Sequence, residues 1–117
     1  MKFDTSENGL HTLFQPYQAA LLEHIWDLNI ETRTGINSKL AYMFLQQTGD
    51  SELRKSRASV IFSLNDMIDD GILEYEEESG KGGYHRVYYP NMNREEFAEH
   101  VKKTITDKLA EVFPSSV

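Results

Sequence analysis

The sequence predicts an α+β fold, mostly α, and three observations carry that expectation. Residues 56–90, SRASVIFSLNDMIDDGILEYEEESGKGGYHRVYYP, read as a helix running straight into a glycine-tipped, two-stranded hairpin. Two earlier stretches carry apolar residues at helical spacing. After the hairpin, Phe97, Val101, Ile105, Leu109 and Val112 repeat at intervals of 4, 4, 4 and 3 residues, which predicts one last helix.

The first helix is expected from Pro16, a residue suited to an opening turn, with Tyr17, Leu21, His24, Ile25 and Leu28 as its apolar stripe beside Trp26. The polar stretch Asn29 to Gly35 is a connection with room for a short strand. Asn37 then caps a second helix whose buried face is Leu40, Ala41, Phe44 and Leu45, and Gly49 ends it. A loop from Thr48 to Lys55 leads to a third helix, expected from Ser56 to Asp70, with the Ser56 hydroxyl on the first-turn amides and Gly71 allowing a left-handed exit. Its inward stripe is Val60, Leu64, Met67 and Ile68. Arg57 and Ala58 are directed away from the core, with Ser59, Ile61 and Phe62 as candidates to join them, although the size of the Phe62 ring favours burial.

Ile72 to Glu78 alternates in period two, as a half-buried strand would, Ser79 to Gly83 is the tip, and Tyr84 to Tyr89 is the return strand. Across this hairpin Arg86 is placed to pair with the glutamate run. Asn93 and Glu96 form a capping box at the start of the last helix, and Pro114 stops it. Helix, helix, helix, hairpin is the order of a winged helix-turn-helix, in which the third helix enters the DNA major groove and the wing touches the backbone beside it. The expected organisation is an amino-terminal arm over 1–15, either disordered or packed on a partner, a winged-helix DNA-binding domain over 16–90, and a carboxy-terminal dimerisation helix over 91–117. The stripe Phe97, Val101, Ile105, Leu109, Val112 lacks an obvious partner in so small a domain, so a second copy is the expected one; folding back on the first helix is the alternative, and both helices could share an interface.

Composition narrows the function classes. The chain has 117 residues and no Cys, which removes disulfides, thiolate zinc sites and thiol catalysis and suits a reducing cytoplasm. No apolar run approaches the ~18 residues of a membrane span, and the charged first residues do not read as a signal peptide. The net charge of −7 is unlike a DNA binder until it is located: seven acids stand between Asp66 and Glu78 with no base, and the rest of the chain carries 12 acids and 12 bases. Positive clusters fall at the start of the third helix (Arg54, Lys55, Arg57) and at the wing (Lys81, His85, Arg86). No enzyme is indicated. His11, His24, His85 and His100 lie on separate elements without metal-ligand spacing, Ser79 sits in a turn rather than a nucleophile elbow, and no cofactor motif surrounds Gly80, Gly82 and Gly83.

Ile25-Trp26, then Ser56-x-x-Ser59-Val60 followed by Leu64, Met67, Gly71, Ile72 and Leu73, and a wing closing on Tyr89-Pro90, resemble the penicillinase and methicillin-resistance repressor family over residues 17–90. The resemblance implies a winged-helix dimer that binds a palindromic operator in double-stranded DNA and represses transcription. It implies DNA contacts from Lys55, Ser56, Arg57 and Ser59; with the charge clusters the candidate set is Arg54, Lys55, Ser56, Arg57, Ser59, Lys81, His85 and Arg86. The chain departs from that family in a longer segment between Trp26 and Ser56, in Asp66 where a base is common, and in a single terminal helix in place of a small helical domain. The phenolic-acid-responsive winged helices, with one carboxy-terminal dimerisation helix, resemble the tail as well or better. A rival reading is a protein-interaction module whose acidic ridge, Asp66 to Glu78, binds a basic partner.

Overall fold

Asparagine and serine side chains set where the helices begin. In the computed structural model, which describes Lys2 and residues 9–80 and 82–113, α1 spans Pro16–Leu28, β1 Ile36–Asn37, α2 Ser38–Gln47, α3 Arg57–Asp69, β2 Leu73–Gly80, β3 Gly83–Pro90 and α4 Arg94–Val112. The protein is therefore α+β and mostly helical. The Asn37 carboxamide accepts from the Leu40 amide (2.8 Å) and the Ser56 hydroxyl from the Ser59 amide (3.1 Å), which satisfies amides left open at the starts of α2 and α3. At α4 Asn93 and Glu96 cap each other's backbone amides at 2.8 and 3.0 Å, the expected reciprocal box.

Glycine ends α3. Gly71 takes φ +78°, and the Gly71 and Ile72 amides donate to Ile68 and Met67 carbonyls, so the chain leaves the helix and enters β2 at once. β2 and β3 pair antiparallel from Leu73↔Pro90 to Gly80↔Gly83, and β1 adds to the other side of β3 at Ile36↔Tyr88, giving a sheet ordered β1-β3-β2. The short strand lies just after the connection expected to hold it. That connection is shaped by Asn29, which donates to the Ile25 and Thr34 carbonyls and accepts from the Thr34 amide at 2.7 Å.

Leu21, Leu22 and Ile25 of α1, Leu45 of α2, Val60, Leu64 and Met67 of α3, and Ile72 and Leu73 make the core. Among the described residues one polar side chain lies inside it: Ser63, whose hydroxyl donates to Tyr17 and accepts from Gln18. The core crosses both expected boundaries. Leu13 and Phe14 are buried in it, so this end of the arm packs on its own chain, and Phe97 closes the other side, its ring 5.4 Å from Trp26 and 6.1 Å from Phe14.

Three burial expectations are overturned. Leu40 is half exposed because α2 meets the core along the Ala41–Leu45 row, about 100° of helix rotation away. Phe62 is 68% exposed, on the side of α3 opposite that core stripe. In β2 only Leu73 is buried, since β2 is an edge strand of the sheet, whereas Val87, Tyr88 and Tyr89 of the central strand β3 are buried. Ile68 and Leu28 sit at the rim.

His24 is half-buried and stacks on Phe44 of α2, ring centroids 3.8 Å apart and planes 8° from parallel. Burial holds its pKa below the ordinary imidazole value, and Asp27 opposes this less strongly. As pH falls, the unfolded chain takes up this proton before the folded one, so stability is complete above about pH 6.5 and declines below it. His24→Gln should therefore flatten the fall in melting temperature between pH 7 and 5; an unchanged slope would assign that fall to other groups.

Candidate functional site

The amino ends of α2 and α3 and one face of the hairpin carry one group of exposed cations. Arg57, the first residue of α3, reaches Ser38, the first of α2, with its Nη2 3.4 Å from the hydroxyl. Two capped helix starts are thereby tied together, and Lys39 and Arg54 stand exposed beside them. Near the middle of α3, the Asn65 Oδ1 accepts from Arg86 Nη1 of β3 at 3.0 Å and from the Tyr88 hydroxyl at 2.9 Å. The hairpin is thus fastened to the exposed side of α3. Arg86 also stacks over Tyr75, 4.0 Å from the ring centre.

Residues facing each other across an antiparallel pair project to the same side of the sheet. The register puts Tyr75, Glu77, Tyr88, Arg86 and Tyr84 on one face and Glu74, Glu76, Glu78, Tyr89, Val87 and His85 on the other. The acidic ridge is consequently divided. Arg86 and Tyr88 place the first face toward α3, and three of the four strand glutamates belong to the second.

On that second face the partner of the glutamates is Arg33, not Arg86. Its guanidinium donates to Glu74 at 3.0 Å and to Glu76 at 3.1 Å while lying 3.6 Å over the Tyr89 ring. Bonding to Glu74 first, and then to Glu76, raises the Arg33 pKa further above its usual range. Gly35 fits against the same surface: a Cβ there would fall 2.2 Å from a Val87 methyl.

The candidates named from the sequence separate into groups. Arg57 and Arg54 are exposed at the start of α3, and Arg86 is held against α3 farther along the helix by Asn65. Ser56 is the cap, and Ser59 is bonded to it through both amide and hydroxyl. Lys55 is half-buried, its Nζ 5.3 Å from the centre of the Tyr17 ring on α1. His85 is exposed opposite Glu78, on the hairpin face away from Arg86. Lys81 lies outside the described residues. Lys39 and Asn65 are the additions; the Asn37 cap already implied that Lys39 occupies a first turn, whereas nothing local marks Asn65.

Such a surface can donate to anionic oxygens and to the acceptor edges of nucleobases, Arg57 and Arg86 through planar, forked guanidinium groups. Its carboxylates are close by: Asp66 and Asp69 are exposed on the outward face of α3 toward its carboxyl end, and Glu77 shares the Arg86 face. Among the described residues no group of three or more His, Asp or Glu is placed to hold a metal ion, and no helix is long and apolar enough to cross a membrane.

In α4, Phe97 is used within its own chain and Val101 packs against the same core, while Ile105 is half-buried and Leu109 and Val112 are 55% and 54% exposed. A largely apolar recess of about 440 Å³ lies along Leu13, Val101, Ile105 and Leu109. The chain matches no protein-family model and no curated protein.

Proposed function

We propose that this chain is a winged helix-turn-helix transcriptional regulator, akin to the penicillinase and methicillin-resistance repressors. It binds double-stranded DNA as a homodimer and represses by occupying an operator. One observation carries the reading: the elements run α1-β1-α2-α3-β2-β3 with sheet order β1-β3-β2, and the hairpin is joined to the exposed side of α3 by Arg86 and Asn65. In this arrangement α3 is the groove helix, Arg57 and Arg54 serve its amino end, Lys39 and Ser38 meet the neighbouring phosphates, and β2-β3 is the wing. Ser56 and Ser59 keep the first turn of α3 formed.

Palindromic recognition follows from two copies related by two-fold symmetry, joined through the apolar residues at the far end of α4. The rival use of the acidic ridge as a docking face is less well supported. The ridge is split between two faces of the hairpin, and Arg33 already occupies Glu74 and Glu76.

The direct test enriches binding sites from a pool of random-sequence duplexes and footprints the protein on them at several salt concentrations. Affinity should fall steeply as salt rises. Arg57→Ala should cost about 1–3 kcal/mol and relax base preference where its contact is bidentate, whereas Lys81→Ala should weaken all sequences alike. A pool that yields no preferred site would overturn the proposal.

A further inference from the structure

The outward face of α3 carries one feature that folding does not explain. Phe62 is 68% exposed at the centre of the element that otherwise supplies Val60, Leu64 and Met67 to the core. A phenylalanine left in water forfeits the burial that normally places its type inside, and a ring in this position is free to meet an occupant. Its surroundings indicate which. One turn earlier on the same row is Ala58, whose small side chain lets another surface come close to the helix.

Cations lie along one edge of the pair. Arg57 stands beside Ala58 and bonds Ser38 of α2, and Arg86 is held over the next turn by Asn65, on the same side of the row. An apolar strip with guanidinium groups along one edge suits a ligand that carries apolar points beside a line of anions. The major groove of duplex DNA is such a surface, with phosphates on both sides and thymine C5-methyl groups as its apolar points. An apolar protein partner would not call for the flanking arginines. Asp66, one turn beyond Phe62, marks where the strip ends.

We infer that Phe62, with Ala58 beneath it, is a specificity-determining residue that packs on a thymine methyl group in each half of the bound DNA site. The inference rests on the DNA-binding reading above and adds the base that is read. The other three bases lack the feature: cytosine, adenine and guanine present no methyl group in the groove.

Deoxyuridine supplies the test, since it differs from thymidine by this methyl alone. Thymines in the sites enriched from the random pool are replaced one at a time, and binding of the parent protein and of Phe62→Ala is measured on each duplex. For the parent, one replacement per half-site should weaken binding about fourfold, the worth of burying a single methyl group. For Phe62→Ala that same replacement should make no difference, and enrichment repeated with the variant should lose the thymine at that position. Phe62→Leu should keep part of the preference.

Because the ring is exposed, Phe62→Ala should melt with the parent and sediment at the same mass. A variant that selects the same thymine with the same deoxyuridine response sinks the inference and leaves DNA binding standing. A change in mass would assign the ring to a contact between copies, and a marked fall in melting temperature would make it structural; either overturns it. A pool without a preferred site ends the DNA reading and this inference together.

Discussion

Aspartate at both Ile105 and Leu109 is expected to divide the protein into monomers and to weaken operator binding by two to four orders of magnitude, roughly what is lost when two linked binding events become separate ones. The choice of positions follows from how α4 is used. Its first turn is anchored in its own chain: Phe97 lies against Phe14 and Trp26, the Trp26 indole donates to the Met92 carbonyl at 2.9 Å, and Arg94 pairs with Glu23 and Asp27 of α1. Past Val101 the described helix residues are exposed except for half-buried Ile105.

A helical end of this length is marginal in water, and its own ion pairs, Lys103–Asp107 at 2.9 Å and Lys108–Glu111 at 3.8 Å, are solvent-exposed and add little. Full burial of a Leu, Ile or Val side chain stabilises by about 1.5–3 kcal/mol. In the proposed dimer, a second copy covering Ile105, Leu109 and Val112 would supply what the tail lacks alone. Val101 is a poorer site for the test, since it packs on its own core and a charge there would unsettle the monomer as well. Sedimentation equilibrium reads the outcome, with circular dichroism to show that the fold persists. A double variant that keeps the parent's mass would remove α4 from any interface.

What the sequence made legible divides along a physical line. Several features decided within four or five residues were readable: the Asn37 and Ser56 caps, the Asn93–Glu96 box, the glycine exit at Gly71 and the two strands after it, though not the equally local Asn29–Thr34 bonds or the Asp50 cap. Their energetics are local, so the residue types and spacings suffice. Features decided by distant partners were not. Arg86 and Arg33 are both arginines near glutamates by some route, yet the strand pairing that puts Arg86 against Tyr75 and Asn65 leaves Glu74 and Glu76 to a residue more than forty positions earlier.

The same limit explains Phe62 and Leu40. Periodicity identifies an apolar arc on a helix, but which edge of the arc meets the core depends on where neighbouring helices lie. Within the candidate site, Arg57 was legible because it directly follows a cap. Lys55 was readable only as a nearby cation, and its position over Tyr17 depends on the packing of α1.

Gly35→Ala is expected to cost about 3 kcal/mol, the upper part of the usual range for overpacking, and to lower the melting temperature on the order of 10–20 °C. The backbone at Gly35 is not in the left-handed region, so space alone decides the effect. An added Cβ would lie 2.2 Å from a Val87 methyl and 2.7 and 2.9 Å from Tyr89 ring carbons, against the ~3.5–4.0 Å of ordinary carbon contacts. Neither neighbour can withdraw cheaply. Val87 is opposite Asn37 in the β1-β3 pairing, and Tyr89 lies under the Arg33 guanidinium, so moving either ring or methyl breaks the strand register or the stack. Loss of the stack would also release Glu74 and Glu76 from Arg33. Val87→Ala removes the nearest methyl, so adding it to Gly35→Ala should recover part of the lost stability although it destabilises the parent. That opposite sign is the diagnostic, and melting curves of the four proteins that show simple additivity would mean the 29–35 connection stands off the hairpin.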